Sequence, residues 1–302
     1  MTVDPSHIPV LAEAIRAAAR GATRAVDGTL GHGGHAALLR GDGMTVFGID
    51  RDPDALAIAR HRLGDAGVTY LAGSFAEPDV LAAVALFHPD FILLDLGVSS
   101  RQLDADDRGF TFRQAAPLDM RMSAVGPTAA DLLNEADEHD LEHVFRDYGD
   151  ERRGRALARE VVRRRGNAPF LTSDDFVNAV RAVLGPQSGP ADFARLFQAL
   201  RIEVNGELDA LTRALPAFLD ALVPGGTMAV ISYHSGEDRI VKHLFHDWAR
   251  SCICPPEQPV CTCRGRPLGL AEPRRPIVAD AAEVAANPRA RSAKLRLFRK
   301  AA

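Results

Sequence analysis

The run DFILLDLG (Asp90 to Gly97) constrains this chain more than any other stretch. It is nearly continuous apolar rather than alternating, the pattern of a strand covered on both faces of its sheet. Such a strand belongs inside a parallel sheet with helices packed on either side. Its surroundings agree. RAVDG ends a first apolar run, TVFGID (Thr45 to Asp50) is a second and VTYLAG a third. The second leads into a helix opened by Asp52 and Pro53, with Leu56, Ala59 and Leu63 on one face. Strands that alternate with helices predict an α/β fold built on a doubly wound parallel sheet.

The alternation stops at about Asp104. From there to Gly206 the sequence shows only helical segments, among them TAADLLNEA, DERRGRALAREVVRRRG and PADFARLFQALRIEV. Strand character returns at TMAVISYH (Thr227 to His234) and SAKLRLFRK (Ser292 to Lys300). The expected organisation is a discontinuous α/β domain, residues 1–104 and 207–302, interrupted by an all-helical insertion over 105–206. The Pro-rich stretch CPPEQPVCTCRGRPLGLAEPRRP reads as a surface loop.

Composition narrows the class. At 46% hydrophobic and 25% charged residues the chain reads as globular, and no apolar run approaches the length of a bilayer span, so no membrane association is expected. The first ten residues have neither a basic region nor an apolar core, which argues against a signal peptide. Four cysteines crowded into one segment do not resemble a secreted disulfide framework, and a cytoplasmic location is expected. The net charge of −4 hides an asymmetry: ten Lys/Arg stand against three Asp/Glu between Arg264 and Lys300.

A glycine loop follows the first apolar run in AVDGTLGHGGHAALLRG (Ala25 to Gly41). A bare backbone between a strand and a helix N-terminus lets a ligand approach closely, and the helix dipole favours ligand anions there. Gly31, Gly33 and Ala36 satisfy the dinucleotide pattern with alanine in its third place, but that motif alone is weak. Asp27 discriminates. A carboxylate directly before the loop would repel a pyrophosphate and suits a ligand with an ammonium group, such as S-adenosylmethionine. Asp27, Thr29, Gly31 and Gly33 form D-x-T-x-G-x-G, a variant of the D-x-G-x-G-x-G loop of methyltransferases that use this cofactor. Asp50, 23 positions after Asp27, is placed to accept both ribose hydroxyls. The turn VPGGTMAVIS into a late strand fits the same fold.

The blocks HIPVLAEA, DGTLGHGGH, GIDRDPDA, DLGVSSRQLD, RGFTF with PLDMRM, FQALRIEVNGEL, SYHSGEDRIVK and NPRARSAKLR resemble, in order and across nearly the whole chain, those of the bacterial MraW/RsmH methyltransferases. The resemblance implies a Rossmann-like class I methyltransferase domain with a helical insertion for substrate recognition. It implies methyl transfer from S-adenosylmethionine to the exocyclic N4 of one cytosine, cytosine 1402, in the decoding centre of 16S rRNA within the small ribosomal subunit. It further implies cofactor contacts at Gly33, Gly34, His35, Asp50, Phe75, Asp95 and Gln102. Two departures stand out: Arg101 where these proteins usually carry proline, and Gly236 where they usually carry leucine.

The chemistry asks for placement more than for acid–base strength. The cytosine N4 lone pair is conjugated into the ring, so a group accepting its N–H bonds favours pyramidalisation and in-line attack. After attack the nitrogen is acidic and an ordinary aspartate suffices as base. Many amino-methyltransferases supply the acceptors from an Asn/Asp-Pro-Pro-aromatic turn, but DLGVSS stands in that place here. The candidate catalytic residues are Asp95, Asp119 and His234, with Arg121 and Tyr233 beside them. Asp119 reads equally as a partner of Arg121, and His35 as a loop residue near cofactor. Cys252, Cys254, Cys261 and Cys263 form C-x-C-x6-C-x-C, close to metal spacing but tighter than the usual C-x-x-C; free thiols are the expectation, zinc is the alternative, and no metal ligand is assigned. Arg152, Arg153, Arg163, Arg164, Arg274, Arg275, Arg289 and Arg291 are candidate phosphate contacts. Two other readings stand beside this one: a methyltransferase for DNA or a small molecule, and a nicotinamide-linked dehydrogenase, which Asp27 opposes. The oligomeric state is not legible, and a homodimer stays open.

Overall fold

The computed structural model describes residues 9–97, 108–123, 125–255, 257–258 and 260–302. Seven strands form one sheet: β1 (Arg24–Asp27), β2 (Thr45–Asp50), β3 (Val68–Ala72), β4 (Phe91–Asp95), β5 (Thr227–Ser232), β6 (Gly269–Ala271) and β7 (Lys294–Lys300). Their order is β3-β2-β1-β4-β5-β7-β6. The first five run parallel, and β7 is antiparallel to β5 on one side and β6 on the other.

β4 has the double burial its sequence demands. Phe91 through Leu94 are all fully enclosed. Ile92 and Leu94 join one core with Val26, Met228, Val230, Phe218 and Phe245, while Phe91 and Leu93 join the opposite core with Ala25, Ile231, Leu39 and Ala59. This alternation sends successive side chains to helices on opposite faces. Pro78–Phe87, Glu207–Ala221 and Ser235–Ala249 supply the first core; Ala12–Ala18, Gly34–Gly41 and Pro53–Leu63 supply the second. The helix Pro53–Leu63 begins where its sequence says, with the Asp52 carboxylate accepting the N–H of Asp54 at 3.0 Å and Pro53 in the first turn.

Contacts divide the chain into two compact units, Met1–Gly97 with Leu208–Ala302, and Val98–Glu207. The second unit is helical, with its own core around Leu133, Phe145, Leu157, Phe176 and Phe197. Thr128 and Thr172 open two of its helices through capping boxes with Asp131 and Asp175, which satisfy first-turn N–H groups locally.

The segment read as a loop after Cys263 contains β6, a strand of three residues. Its pairing with β7 holds it, not its own composition: Leu270 and Ala271 lie opposite Arg299 and Phe298. The final strand starts at Lys294, and a 3-10 turn (Pro288–Ser292) precedes it.

Candidate functional site

The strand order reverses between β1 and β4, and an open parallel sheet binds ligands in the crevice beyond its strand ends at such a point. Asp27, Asp50 and Asp95 are the last residues of β1, β2 and β4, and β5 ends immediately before Tyr233 and His234. Three carboxylates, a phenol and an imidazole therefore converge on one end of the sheet.

The glycine loop is tied to this end. Gly31 has φ +52° and donates its N–H to Asp50 Oδ2 at 2.7 Å, while Asp52 donates to Oδ1 at 2.9 Å. Burial pushes the Asp50 carboxyl above the ordinary carboxylate value, against those two backbone bonds. A carboxylate has about four lone-pair sites, so two stay available for a pair of hydroxyls. Gly33 has φ +75°, and a Cβ there would lie 2.8 Å from Leu63 Cδ1, so only glycine lets the helix Gly34–Gly41 start against the helix Pro53–Leu63. The first residues of that helix, Gly34 and His35, point N–H groups outward that no helical turn can accept. A dihydroxy acceptor beside unspent N–H groups suits a ligand that carries both a ribose and a carboxylate, and S-adenosylmethionine fits that description.

Thr29, in the place of the pattern's first glycine, has a use the sequence did not reveal. Its Oγ1 accepts the N–H of Asp95 at 2.6 Å and locks the loop to the end of β4.

The Asp95 carboxylate is the hinge of the polar cluster. Oδ1 accepts the Tyr233 hydroxyl at 2.7 Å, and Oδ2 lies 3.4 Å from His35 Nε2. That second contact is an ion-pair distance off the line of a hydrogen bond, which leaves both His35 ring nitrogens enclosed without a hydrogen-bond partner among the described residues. Burial opposes protonation of His35, yet Asp95 and Asp27 together hold its pKa above the usual imidazole value. Burial and the neighbouring Asp95 charge drive the Tyr233 pKa far up, so this phenol acts only as a donor. The Asp95 side chain keeps 24% of its surface exposed. Asp27 differs: it is 1% exposed, and burial pushes its carboxyl up to about 7 while His35 opposes that rise. The sequence suggested Asp27 as the surface that meets an ammonium group. In the structure that side chain is enclosed, with the charges of His35, Asp95 and Asp50 acting on it.

His234 caps the helix Ser235–Ala249. Its Nδ1 accepts the N–H of Glu237 at 3.4 Å and its Nε2 lies 3.1 Å from Glu237 Oε1. Glu237, 2% exposed, returns Oε2 to the N–H of Tyr233 at 2.8 Å. Gly236 leaves room for the ring: a Cβ there would lie 3.2 Å from His234 Nδ1. Glu283 was missed by sequence reasoning. Its Oε1 accepts the N–H of Leu11 at 2.5 Å, and its charge acts on both His35 and Tyr233. The signal was a helix start, for Asp280 accepts the N–H of Glu283 at 2.8 Å, three residues on.

Phe75 and Asp119 have surroundings of their own. Phe75 is 7% exposed in the core beside Phe218, with ring centroids 6.4 Å apart, and its Cβ would be 3.7 Å from a Cβ on Gly28. Asp119, in the helical unit, is gripped by Arg121: Nη2 to Oδ2 at 2.7 Å and Nε to Oδ1 at 2.8 Å. The guanidinium holds that carboxyl below the ordinary range and makes it a weak base. Gln102 lies outside the described residues. Arg163 and Arg164 both pair with Glu160, each at 2.7 Å, whereas Arg152, Arg153, Arg274 and Arg275 are exposed.

The ribosomal RNA small subunit methyltransferase H of Gemmatimonas aurantiaca is 54% identical, over 98% of this chain and 95% of that one. The protein of the same name from Heliobacterium modesticaldum is 47% identical, over 97% and 98%. An rRNA methylase of known crystal structure from Streptococcus thermophilus overlaps 100% of this chain and 99% of its own at 12% identity and a TM-score of 0.41, too loosely to bear on the site. With a match to the family's model over residues 4–301, the chain belongs to the MraW methylase family.

Proposed function

We propose that this chain methylates small-subunit ribosomal RNA at the exocyclic N4 of a cytosine, cytosine 1402 of the decoding centre. The observation that carries the reading is Asp95: a partly exposed carboxylate at the switch point, oriented by Tyr233 on one oxygen and flanked by His35 on the other. The names of the 54% and 47% identical relatives supply the substrate class.

S-adenosylmethionine is the cofactor, and when bound it supplies an electrophilic methyl group on a sulfonium. Asp50 takes the ribose hydroxyls, the N–H groups around Gly33, Gly34 and His35 take the carboxylate, and Phe75 flanks the adenine. Gln102 is a further cofactor contact in this proposal. Asp95 accepts an N–H of the cytosine amine, which favours a pyramidal nitrogen, and then removes the proton that becomes acidic on attack. Tyr233 keeps the carboxylate aimed, and the His35 imidazole, whose pKa the neighbouring carboxylates hold up against burial, flanks it. His234 is the second acceptor candidate, and its bonds to Glu237 favour a positioning role. Asp119, spoken for by Arg121, braces the helical unit. That unit and the exposed arginines read the RNA, with the target base unstacked for reaction.

The test is methyl transfer to small subunits that lack the modification, compared with naked 16S RNA, a DNA oligonucleotide and free cytidine, with the product nucleoside identified by mass spectrometry. N4-methylcytidine formed chiefly on the ribonucleoprotein, with activity falling as salt rises, is the expected result. Efficient transfer to DNA or cytidine overturns it.

A further inference from the structure

The C-x-C-x6-C-x-C segment takes no part in the chemistry above, yet its four sulfurs converge. The Sγ atoms of Cys252, Cys254, Cys261 and Cys263 all lie within 4.8 Å of one another. Cys261 and Cys263 are 3.4 Å apart, and Cys263 and Cys252 are 3.8 Å apart. Thiolates at the corners of a tetrahedron around one zinc, each about 2.3 Å from it, stand about 3.8 Å from each other. The observed spacing brackets that edge. It is also well beyond a disulfide bond of about 2.05 Å, so the cysteines are four separate sulfurs.

Among the described residues of the loop, no apolar cluster accounts for the convergence: Ile253 is 49% exposed and Val260 68% exposed. A backbone group is aimed at one of the sulfurs instead: the N–H of Ile253 donates to Cys263 Sγ at 3.4 Å and joins the two C-x-C hooks. An N–H···S bond of this kind is what a thiolate ligand needs around it. The Arg264 guanidinium, next in sequence to Cys263, donates to the carbonyl oxygens of Asp247 and Arg250 and ties the loop to the end of the helix Ser235–Ala249.

We propose that these four cysteines bind a single structural zinc ion. Spacing alone favoured free thiols, because C-x-C is a tight chelate; the fold answers this by bringing two such hooks face to face. Four sulfur ligands leave no open position, so the ion is structural rather than catalytic. Sulfurs all this close suit one metal rather than an iron–sulfur cluster, which spreads its thiolates over several irons. The clamp closes the connection between the helix Ser235–Ala249 and β6. It replaces the hydrophobic core that this segment lacks.

The full chain, purified under thiol reductant without chelator, is assayed for metals by plasma mass spectrometry. About one zinc per chain is expected, released by a mercurial thiol reagent, and exchange with cobalt should give the visible absorption of tetrahedral cobalt thiolate. Cys261→Ser should lose at least about nine-tenths of the zinc and be cut by protease within the Cys252 to Arg264 loop at least about tenfold faster, with S-adenosylmethionine binding retained. Should that variant fail to fold, the zinc content and cobalt spectrum of the unaltered chain decide. Zinc below about one-tenth per chain with no cobalt uptake, stoichiometric iron, or two disulfides found under non-reducing conditions each overturn the proposal.

Discussion

The Tyr233 hydroxyl donates to Asp95 Oδ1 at 2.7 Å and joins the end of β5 to the end of β4 across 138 positions of sequence. The bond fixes one oxygen of a strand-end carboxylate that keeps 24% of its side-chain surface exposed, and it leaves the other toward His35. Tyr233→Phe keeps the ring, which packs beside Gly97, and deletes the donor. Loss of one hydrogen bond to a charged group is worth about 1.5–3 kcal/mol, so kcat should fall about tenfold or more. The affinity for S-adenosylmethionine should change little, because Asp50 and the loop are untouched. A kcat equal to that of the unaltered enzyme removes Asp95 from the role of acceptor.

Asp50 is predicted to govern cofactor affinity twice over, through the ribose and through the loop it anchors at Gly31 and Asp52. Asp50→Asn keeps one acceptor oxygen and should weaken S-adenosylmethionine binding about tenfold. Asp50→Ala frees both backbone donors and should weaken it by a further factor of about ten. Titration calorimetry on folded variants measures both. Equal affinities for the two variants would mean that the carboxylate does not meet the ligand.

The parts of this molecule that could be read in sequence are those whose physics is local. DFILLDLG announces its double burial by composition alone, and Asp52-Pro53 announces a helix start. Asp50 announces its place by standing at a strand end 23 residues after Asp27. The rest depends on partners distant in sequence. β6 is three residues whose strand geometry comes from β7, so no periodicity could reveal it. Thr29 looked like a blemish in a glycine motif until Asp95, 66 positions on, was seen to donate to it. Asp27 is legible as a carboxylate before the loop, but its enclosure and its charged neighbours His35 and Asp95 are set by the fold. Glu283 reaches the cluster from a segment 272 positions beyond Leu11.

Asp119 and Arg121 provide a separable case. Their carboxylate–guanidinium pair is bidentate but roughly a quarter to a third exposed (31% for Asp119 and 27% for Arg121), so solvent screens it. Removing either side should cost about 0.5–1 kcal/mol of stability, and the double variant Asp119→Ala/Arg121→Ala should cost less than the sum of the singles. If Asp119 only braces the helical unit, methyl transfer should follow that stability in all three variants. If instead Asp119→Ala abolishes turnover in a folded, cofactor-binding protein while Arg121→Ala does not, Asp119 touches substrate.

The last prediction comes from Asp27, whose carboxyl burial lifts from 3.8 to about 7. Its neighbours are His35, Asp95, Asp50 and the N–H of Thr29, which donates to its Oδ1 at 3.3 Å. Between those two pKa values the folded chain keeps a proton that the unfolded chain has released. The unfolded state then binds fewer protons, so stability falls as pH rises through this window. Above about pH 7 the loss is complete and constant, on the order of a few kcal/mol. Asp27→Asn keeps an oxygen for the Thr29 N–H and cannot ionise, so it should unfold at a higher temperature than the natural chain near pH 8. The advantage should shrink as pH falls toward about 4.5, where both side chains are neutral. The variant also loses a negative charge that supports protonation of His35, so any gain in stability should come with weaker methyl transfer near neutral pH. Thermal unfolding of both proteins across this pH range, with turnover measured alongside, checks each half. A stability difference independent of pH would show that Asp27 is already ionised at the acid end, and that His35 and the Thr29 N–H outweigh its burial.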